Sequence, residues 1–152
     1  MATEKNTKKP EAEEQKPVTP VIAPAPTAPV ASKGKSILIV EDEKPLSHAL
    51  EMKLTKVGYT TKVVMNGQDA LAALKAGKFD LVMMDLIMPI MDGFELLKEI
   101  KDAGVKVPAI VLSNLGQEED RKKASELGAI DYFVKANTPI SEIVARAEKA
   151  LS

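Results

Sequence analysis

The segment from Ser36 to Glu43 reads SILIVEDE, a run of four apolar residues that ends directly in acidic ones. Two later segments repeat the arrangement: residues 81–84, LVMM, precede Asp85, and residues 109–112, AIVL, precede Ser113. A run that is apolar at every position is typical of a central parallel strand that helices cover on both faces. The three runs therefore predict the middle of a buried parallel sheet.

Two shorter and more mixed segments, residues 59–64 and 130–134, are predicted as strands nearer the edges. Apolar residues recur at helical spacing after each of the five predicted strands. A glycine follows each of the first four helical segments: Gly58, Gly77, Gly104 and Gly128. Asp92 is the predicted N-cap of the third helix. Alternating strands and helices predict an α/β fold with a doubly wound, five-stranded parallel sheet.

Residues 1–34 differ from the rest in composition. They lack aromatic residues and hold six of the ten prolines: Pro10, Pro17, Pro20, Pro24, Pro26 and Pro29. Such a segment cannot bury enough apolar surface to offset the entropy lost on ordering. We predict a disordered Pro/Ala-rich tail at 1–34 and a folded domain at 35–152. A passive extension is the favoured interpretation of the tail, with a tether or docking segment as the alternative.

The charge balance and the cysteine content narrow the function. The net charge of −1 gives no electrostatic reason to expect a nucleic-acid or membrane-surface partner. The absence of cysteine excludes disulfides and thiolate chemistry. No window reaches the roughly 18 apolar residues of a spanning helix, and the charged first nine residues are unlike a signal peptide. We therefore expect a cytoplasmic protein without nucleic-acid or membrane partners.

The residues directly after the predicted strands are the candidates for a functional site, because ligands of open α/β sheets bind beyond the carboxyl ends of the strands. Glu41 and Asp42 follow the first strand, Asp85 the third, Ser113 the fourth and Lys135 the fifth. Two carboxylates about 4 Å apart repel by ~4 kcal/mol at an effective dielectric constant near 20. Three carboxylates therefore favour a hard divalent cation, and Mg²⁺ is the usual ion beside phosphate.

This chemistry suits phosphoryl transfer to an aspartate. A carboxylate that attacks phosphorus forms an acyl phosphate, and Asp85 is the predicted nucleophile. Lys135 supplies a positive charge for the phosphoryl oxygens, and Ser113 can donate a hydrogen bond to them.

Residues 36–152 resemble the receiver domains of two-component response regulators, which have the chemotaxis-type, flavodoxin-like (βα)5 fold. The matching motifs are ILIVEDE at 37–43, DLIMP at 85–89, MDG at 91–93, Ser113, GA at 128–129 and YFVK at 132–135.

The resemblance implies that Asp85 accepts phosphate from a phosphohistidine of a sensor histidine kinase or a phosphotransfer protein. It implies that Ser113 and Tyr132 are paired switch residues that report phosphorylation to the surface. The ligands implied for Mg²⁺ are Glu41, Asp42, Asp85 and the backbone carbonyl of Ile87.

One position departs from the family pattern. In the family a proline usually follows the lysine through a cis bond, but Ala136 follows Lys135 here. A cis bond before a residue other than proline costs about 3–4 kcal/mol. Either the bond is trans and the loop differs, or the site bears that strain.

The resulting hypothesis is a stand-alone receiver domain, and not an enzyme beyond its own phosphorylation and dephosphorylation. No output domain follows in this sequence, so we expect output through an unknown partner protein or through phosphorylation-dependent dimerisation. The alternative is a pseudo-receiver, an unphosphorylated binding scaffold. An aspartyl-phosphate enzyme of the haloacid-dehalogenase type is disfavoured, because Ile87 stands where those enzymes carry a second aspartate.

Overall fold

The structure, a computed structural model, describes residues 34–152; the prediction of a disordered tail falls almost entirely outside them. The strands are β1 Ser36–Val40, β2 Thr60–Val64, β3 Leu81–Met84, β4 Ala109–Ser113 and β5 Ala129–Val134. The α-helices are α1 Lys44–Val57, α2 Gly67–Ala76, α3 Gly93–Asp102, α4 Glu118–Glu126 and α5 Ile140–Leu151. A short 3₁₀ turn, Lys135–Asn137, joins β5 to α5.

The five strands form one parallel sheet in the order β2-β1-β3-β4-β5. The chain moves outward from β1 to β2 and then crosses back to β3, so the winding reverses between β1 and β3. This order confirms the predicted doubly wound (βα)5 sheet. It also places the switch point, where such folds bind ligands, directly beyond Val40 and Met84.

Helices cover both faces of the sheet, which explains why the central strands are apolar at every position. Successive side chains of a strand point to opposite faces. Leu38, Val82 and Val111 pack with α2, α3 and α4 on one face. Ile39 and Met83 belong to the second cluster, which packs with α1 and α5 on the other face.

Two edge strands begin one residue away from their predicted starts. The start of β2 at Thr60 follows from the end of α1, because the backbone N–H of Tyr59 donates to the carbonyl of Leu54 and continues the helix cap. The start of β5 is Ala129, one residue before the predicted Ile130. The predicted cap of α3 is confirmed: Asp92 Oδ1 accepts from the N–H of Glu95 at 2.8 Å, and Glu95 Oε1 accepts from the N–H of Asp92 at 3.4 Å.

The helices differ in how firmly they are anchored. Ala124 is the one buried residue of α4, whereas Ile143, Val144, Ala147 and Leu151 are buried in α5.

Within residues 34–152, none of the helices combines the length and the apolar character that crossing a membrane requires.

Candidate functional site

Three carboxylates meet at the carboxyl edge of the sheet. Glu41, Asp42 and Asp85 offer oxygen atoms that all lie within 4.8 Å of one another. They converge because β1 and β3 are neighbours, with Val40 opposite Met84, and the Asp85 N–H donates to the Val40 carbonyl at 3.0 Å. Glu41 and Asp85 are buried, whereas Asp42 is exposed.

The loop after β3 holds the Asp85 carboxylate in place. The backbone N–H of Ile87 donates to Asp85 Oδ1 at 3.3 Å. The N–H of Gly93, at the start of α3, donates to the Leu86 carbonyl at 2.9 Å and closes the loop. Asp85 Oδ1 is thus bound from its own loop, and Oδ2 is left for contacts across the site.

Lys135 reaches this cluster from the end of β5. Its Nζ lies 2.8 Å from Glu41 Oε1, 2.9 Å from Asp85 Oδ2 and 2.9 Å from Glu43 Oε1. Among residues 34–152 every peptide bond is trans, so Lys135 reaches the site without a cis bond to Ala136. The first of the two alternatives for this bond is therefore the one observed.

The cluster contains its own cation, which changes the expected electrostatics. Burial raises the pKa of Glu41. Two contacts of the Glu41 carboxylate work against that rise: the nearby Lys135 ammonium, and the Glu43 N–H, which donates to Glu41 Oε2 at 3.0 Å. Burial acts to lower the pKa of Lys135, but its contacts with Glu41, Asp85 and Glu43 outweigh burial and raise that pKa above its usual value. Lys135 therefore stays protonated and offsets part of the repulsion among the carboxylates.

The residues present fit a hard divalent cation. Glu41 Oε1 is buried and, despite its distance of 2.8 Å from Nζ, accepts no well-oriented hydrogen bond from the described part of the chain. This oxygen and the neighbouring carboxylates of Asp42 and Asp85 form an all-oxygen donor set, which Mg²⁺ prefers over softer ligands.

A cavity of about 220 Å³ opens beside the Asp85 carboxylate. Its lining residues are Asp42, Glu43, Asp85, Ile87, Asn114 and Lys135. Anionic and cationic groups thus line an opening through which a reactant can approach Asp85.

Ser113 and Tyr132, the predicted switch residues, converge on the loop between β4 and α4. Ser113 is fully buried, and its Oγ accepts from the Leu115 N–H at 3.2 Å. The Tyr132 hydroxyl donates to the Leu115 carbonyl, and the Arg121 guanidinium lies 5.0 Å from the centre of the Tyr132 ring. Burial raises the pKa of the Tyr132 hydroxyl, with the nearby Asp120 carboxylate adding to that effect.

Two site residues received no role in the sequence analysis. Glu43 contacts Lys135, and Asn114 lines the cavity in the position next to Ser113. Asn114 directly follows β4, which was a usable indication. Glu43 is three residues beyond the end of β1, where an acidic residue is ordinarily a solvated helix-start residue.

Residues 37–148 match the family described as the response regulator receiver domain. The transcriptional regulatory protein PcoR of Escherichia coli is 35% identical over 115 residues, which are 76% of this chain and 50% of that protein. The phosphate regulon transcriptional regulatory protein PhoB of Pseudomonas aeruginosa is 36% identical over 120 residues, 78% of this chain and 52% of that protein. The chain thus spans about half the length of the curated relatives it matches.

Solved structures give the same result for the fold. The receiver domain of the Francisella response regulator 1452 superposes with a TM-score of 0.74 at 27% identity, over 78% of this chain and 97% of that one. The structure described as FixJ-N superposes with a TM-score of 0.70 at 29% identity, over 78% of this chain and 94% of that one.

Proposed function

This chain belongs to the response regulator receiver domain family, and from that premise we propose that Asp85 is the residue that accepts the phosphoryl group. The observation that carries the proposal is the burial of the Asp85 carboxylate at the switch point, beside a cavity and 2.9 Å from the Lys135 ammonium. The matched family supports phosphorylation as the reaction, and the geometry supports Asp85 as the nucleophile.

In the proposed reaction an Asp85 carboxylate oxygen attacks the phosphorus of a phosphohistidine. A new O–P bond forms, the N–P bond breaks, and the imidazole leaves with the electron pair of that bond. Glu41, Asp42, Asp85 and the Ile87 carbonyl would hold Mg²⁺, and the ion would offset negative charge on the phosphoryl group.

The other residues act on the phosphoryl oxygens after transfer. Lys135 places its ammonium beside them, and Ser113 donates its hydroxyl hydrogen bond to them. A Ser113 hydroxyl so engaged alters its contact with Leu115, whose carbonyl binds the Tyr132 hydroxyl. We infer that this chain of contacts passes the state of Asp85 to the surface formed by α4 and β5.

The partners follow from this reaction. The donor is a sensor histidine kinase or a phosphotransfer protein, and the output is an interaction with another protein or a phosphorylation-dependent dimer. The domain acts as a cytoplasmic signalling module and catalyses only its own phosphorylation and dephosphorylation.

Incubation with acetyl phosphate and Mg²⁺, followed by intact-mass measurement, tests the proposal. We expect one phosphoryl group on the wild-type chain and none on Asp85→Asn. Asp102→Asn, which changes an exposed aspartate on α3, is the control and should be phosphorylated like the wild type. A phosphoryl group on Asp85→Asn would show that another residue is the nucleophile. A wild-type chain that takes up no phosphoryl group would favour the interpretation as a pseudo-receiver.

A further inference from the structure

The Lys135 ammonium has three carboxylate neighbours, and they differ sharply in exposure. The side chains of Glu41 and Asp85 are 2% and 8% exposed, whereas that of Glu43 is 57% exposed, although all three contacts measure 2.8–2.9 Å. A lysine ammonium has three N–H donors and no acceptor. Lys135 Nζ donates hydrogen bonds to Asp85 Oδ2 and Glu43 Oε1, and Glu41 Oε1 lies 2.8 Å from it without a well-oriented hydrogen bond.

The contact with Glu43 is the most solvent-exposed of the three. An ion pair with a solvent-exposed carboxylate gains little, because water competes for both groups and screens their attraction. Glu41 and Asp85 are shielded from water and retain the ammonium more firmly. Glu43 is therefore the partner that Lys135 gives up most readily.

The position of Glu43 places this exchange at the mouth of the site. Glu43, Asn114 and Lys135 line the cavity beside Asp85 and also a neighbouring cavity of about 420 Å³. Leu46, Ala136 and Ile140 contribute to the second cavity. The contact between Glu43 and Lys135 thus lies between the two openings. Breaking this ion pair involves no covalent step.

A phosphoryl group on Asp85 brings anionic oxygens that need a donor from Lys135. Since three carboxylate oxygens already lie within 2.9 Å of Nζ, a phosphoryl oxygen can reach the ammonium only if one of these contacts is exchanged. We propose that Glu43 is a positioning residue that holds Lys135 in the unphosphorylated protein and releases it to the phosphoryl group. This inference rests on Asp85 being the phosphoacceptor, as proposed above.

Glu43 is then a competitor of the phosphoryl group, and its neutralisation favours the phosphorylated state. An exposed ion pair is worth enough to change an equilibrium by about two- to fivefold. Simple repulsion of an anionic ligand by Glu43 through space would give a change of the same sign. The two causes differ in one respect: only the competition requires Lys135.

A double-mutant cycle separates the two causes. Calorimetry measures the Kd of beryllofluoride, a phosphoryl mimic, with Mg²⁺ for wild type, Glu43→Gln, Lys135→Met and the double variant. We expect Glu43→Gln to lower the Kd by about two- to fivefold in the wild-type background and to leave it unchanged beside Lys135→Met. Glu99→Gln removes an exposed charge from α3 and should leave the Kd unchanged in either background.

An equal gain in beryllofluoride affinity in both backgrounds would show simple repulsion and overturn the proposal. A Glu43→Gln variant that binds beryllofluoride no more tightly than the wild type would overturn it as well.

Exchange of the Lys135 ammonium protons, followed by ¹⁵N NMR, gives a second readout that does not need the Lys135→Met variant to bind the mimic. Glu43→Gln should speed this exchange in the free protein and not in the beryllofluoride complex; equal acceleration in both states contradicts the proposal. A wild-type protein that binds no beryllofluoride would instead refute the proposed function itself.

Discussion

Gly93 packs directly against the backbone of Asp85. A Cβ atom at Gly93 would lie 2.4 Å from the Asp85 carbonyl oxygen and 2.7 Å from the Leu86 Cα. The glycine is the first residue of α3 and follows the N-cap Asp92. The start of this helix is therefore in direct contact with the residues that end β3, and a side chain at Gly93 would push the two apart.

Replacement of Gly93 by alanine should destabilise the domain. Forcing a methyl group into closely packed backbone costs about 1–3 kcal/mol or more, and the same shift should slow phosphorylation of Asp85. Urea unfolding measures the first effect and intact mass the second. Gly116→Ala is the matched control, since its Cβ would meet only Val134 Cγ2 at an ordinary 3.6 Å. Equal stabilities of the two variants would show that the loop yields freely.

Ile90 has a strained backbone conformation although its side chain is exposed. Its φ is 72°, the one positive φ of a residue other than glycine between residues 34 and 152, and its side chain is 73% exposed. A left-handed conformation costs an L-residue roughly 1–2 kcal/mol. Glycine avoids this strain but loses about 0.4–1 kcal/mol through its freer unfolded chain.

We therefore expect Ile90→Gly to raise the free energy of unfolding by about 0.5–1 kcal/mol. Ile87→Gly, in the same loop but without a positive φ, should lower it by a similar amount. Chemical denaturation of both variants provides the measurement. A destabilised Ile90→Gly protein would mean that the exposed side chain makes a compensating contact.

Lys135 should stabilise the metal-free protein and lower its affinity for Mg²⁺. Removal of one member of a buried ion pair lowers the free energy of unfolding by about 3 kcal/mol. We expect a loss of this size in Lys135→Met, because the variant leaves Glu41 and Asp85 without their cation. The same change should tighten Mg²⁺ binding, since the ion no longer competes with an ammonium. Urea unfolding with and without Mg²⁺, together with calorimetric titration, tests both parts.

Lys98→Met is the control for this variant. Lys98 is 66% exposed and pairs with Asp102 on the surface of α3. Its loss should change stability by less than about 0.5 kcal/mol and should leave the Mg²⁺ affinity unaltered. A Lys135→Met protein as stable as the wild type would show that Glu41 is neutral in the metal-free state.

The phosphoryl group should be lost slowly because an apolar side chain borders it. Ile87 lines the cavity beside Asp85 and cannot orient a water molecule toward phosphorus. General acid–base assistance is worth about 10²–10⁴-fold, so positioning a water alone should be worth less, roughly tenfold. Ile87→Asn should therefore speed dephosphorylation, while Ile130→Asn, an exposed isoleucine of β5, should not. An unchanged decay rate in Ile87→Asn would assign the lifetime to other residues.

The domain boundary at Lys35 stays a prediction, since residues 1–33 are outside the described part of the chain. We propose that a chain beginning at Lys35 melts at the same temperature as the full chain, because the proline-rich segment carries no apolar pattern. Differential scanning calorimetry of the two chains measures this. A melting temperature several degrees lower in the shorter chain would show that the segment packs on the domain.

The sequence by itself determined the sheet and the members of the carboxylate cluster. Ile39 and Met83 belong to runs that are apolar at every position, and such runs are typical of strands covered on both faces. All strands of a parallel sheet end at the same edge, so the residues after β1 and β3 were expected on one edge, and the adjacency of these two strands brings them together. This explains why Glu41, Asp42 and Asp85 could be grouped without coordinates.

Only the tertiary structure decided how those residues are paired. Lys135 contacts Glu43, 92 residues away, as well as Glu41 and Asp85, and no sequence pattern predicted these pairings. It does so through a trans bond to Ala136, a choice that the sequence left open. The physical reason is that periodicity specifies which face a residue occupies. Which ammonium meets which carboxylate depends instead on the order of the strands and on how far each side chain reaches across the edge they share.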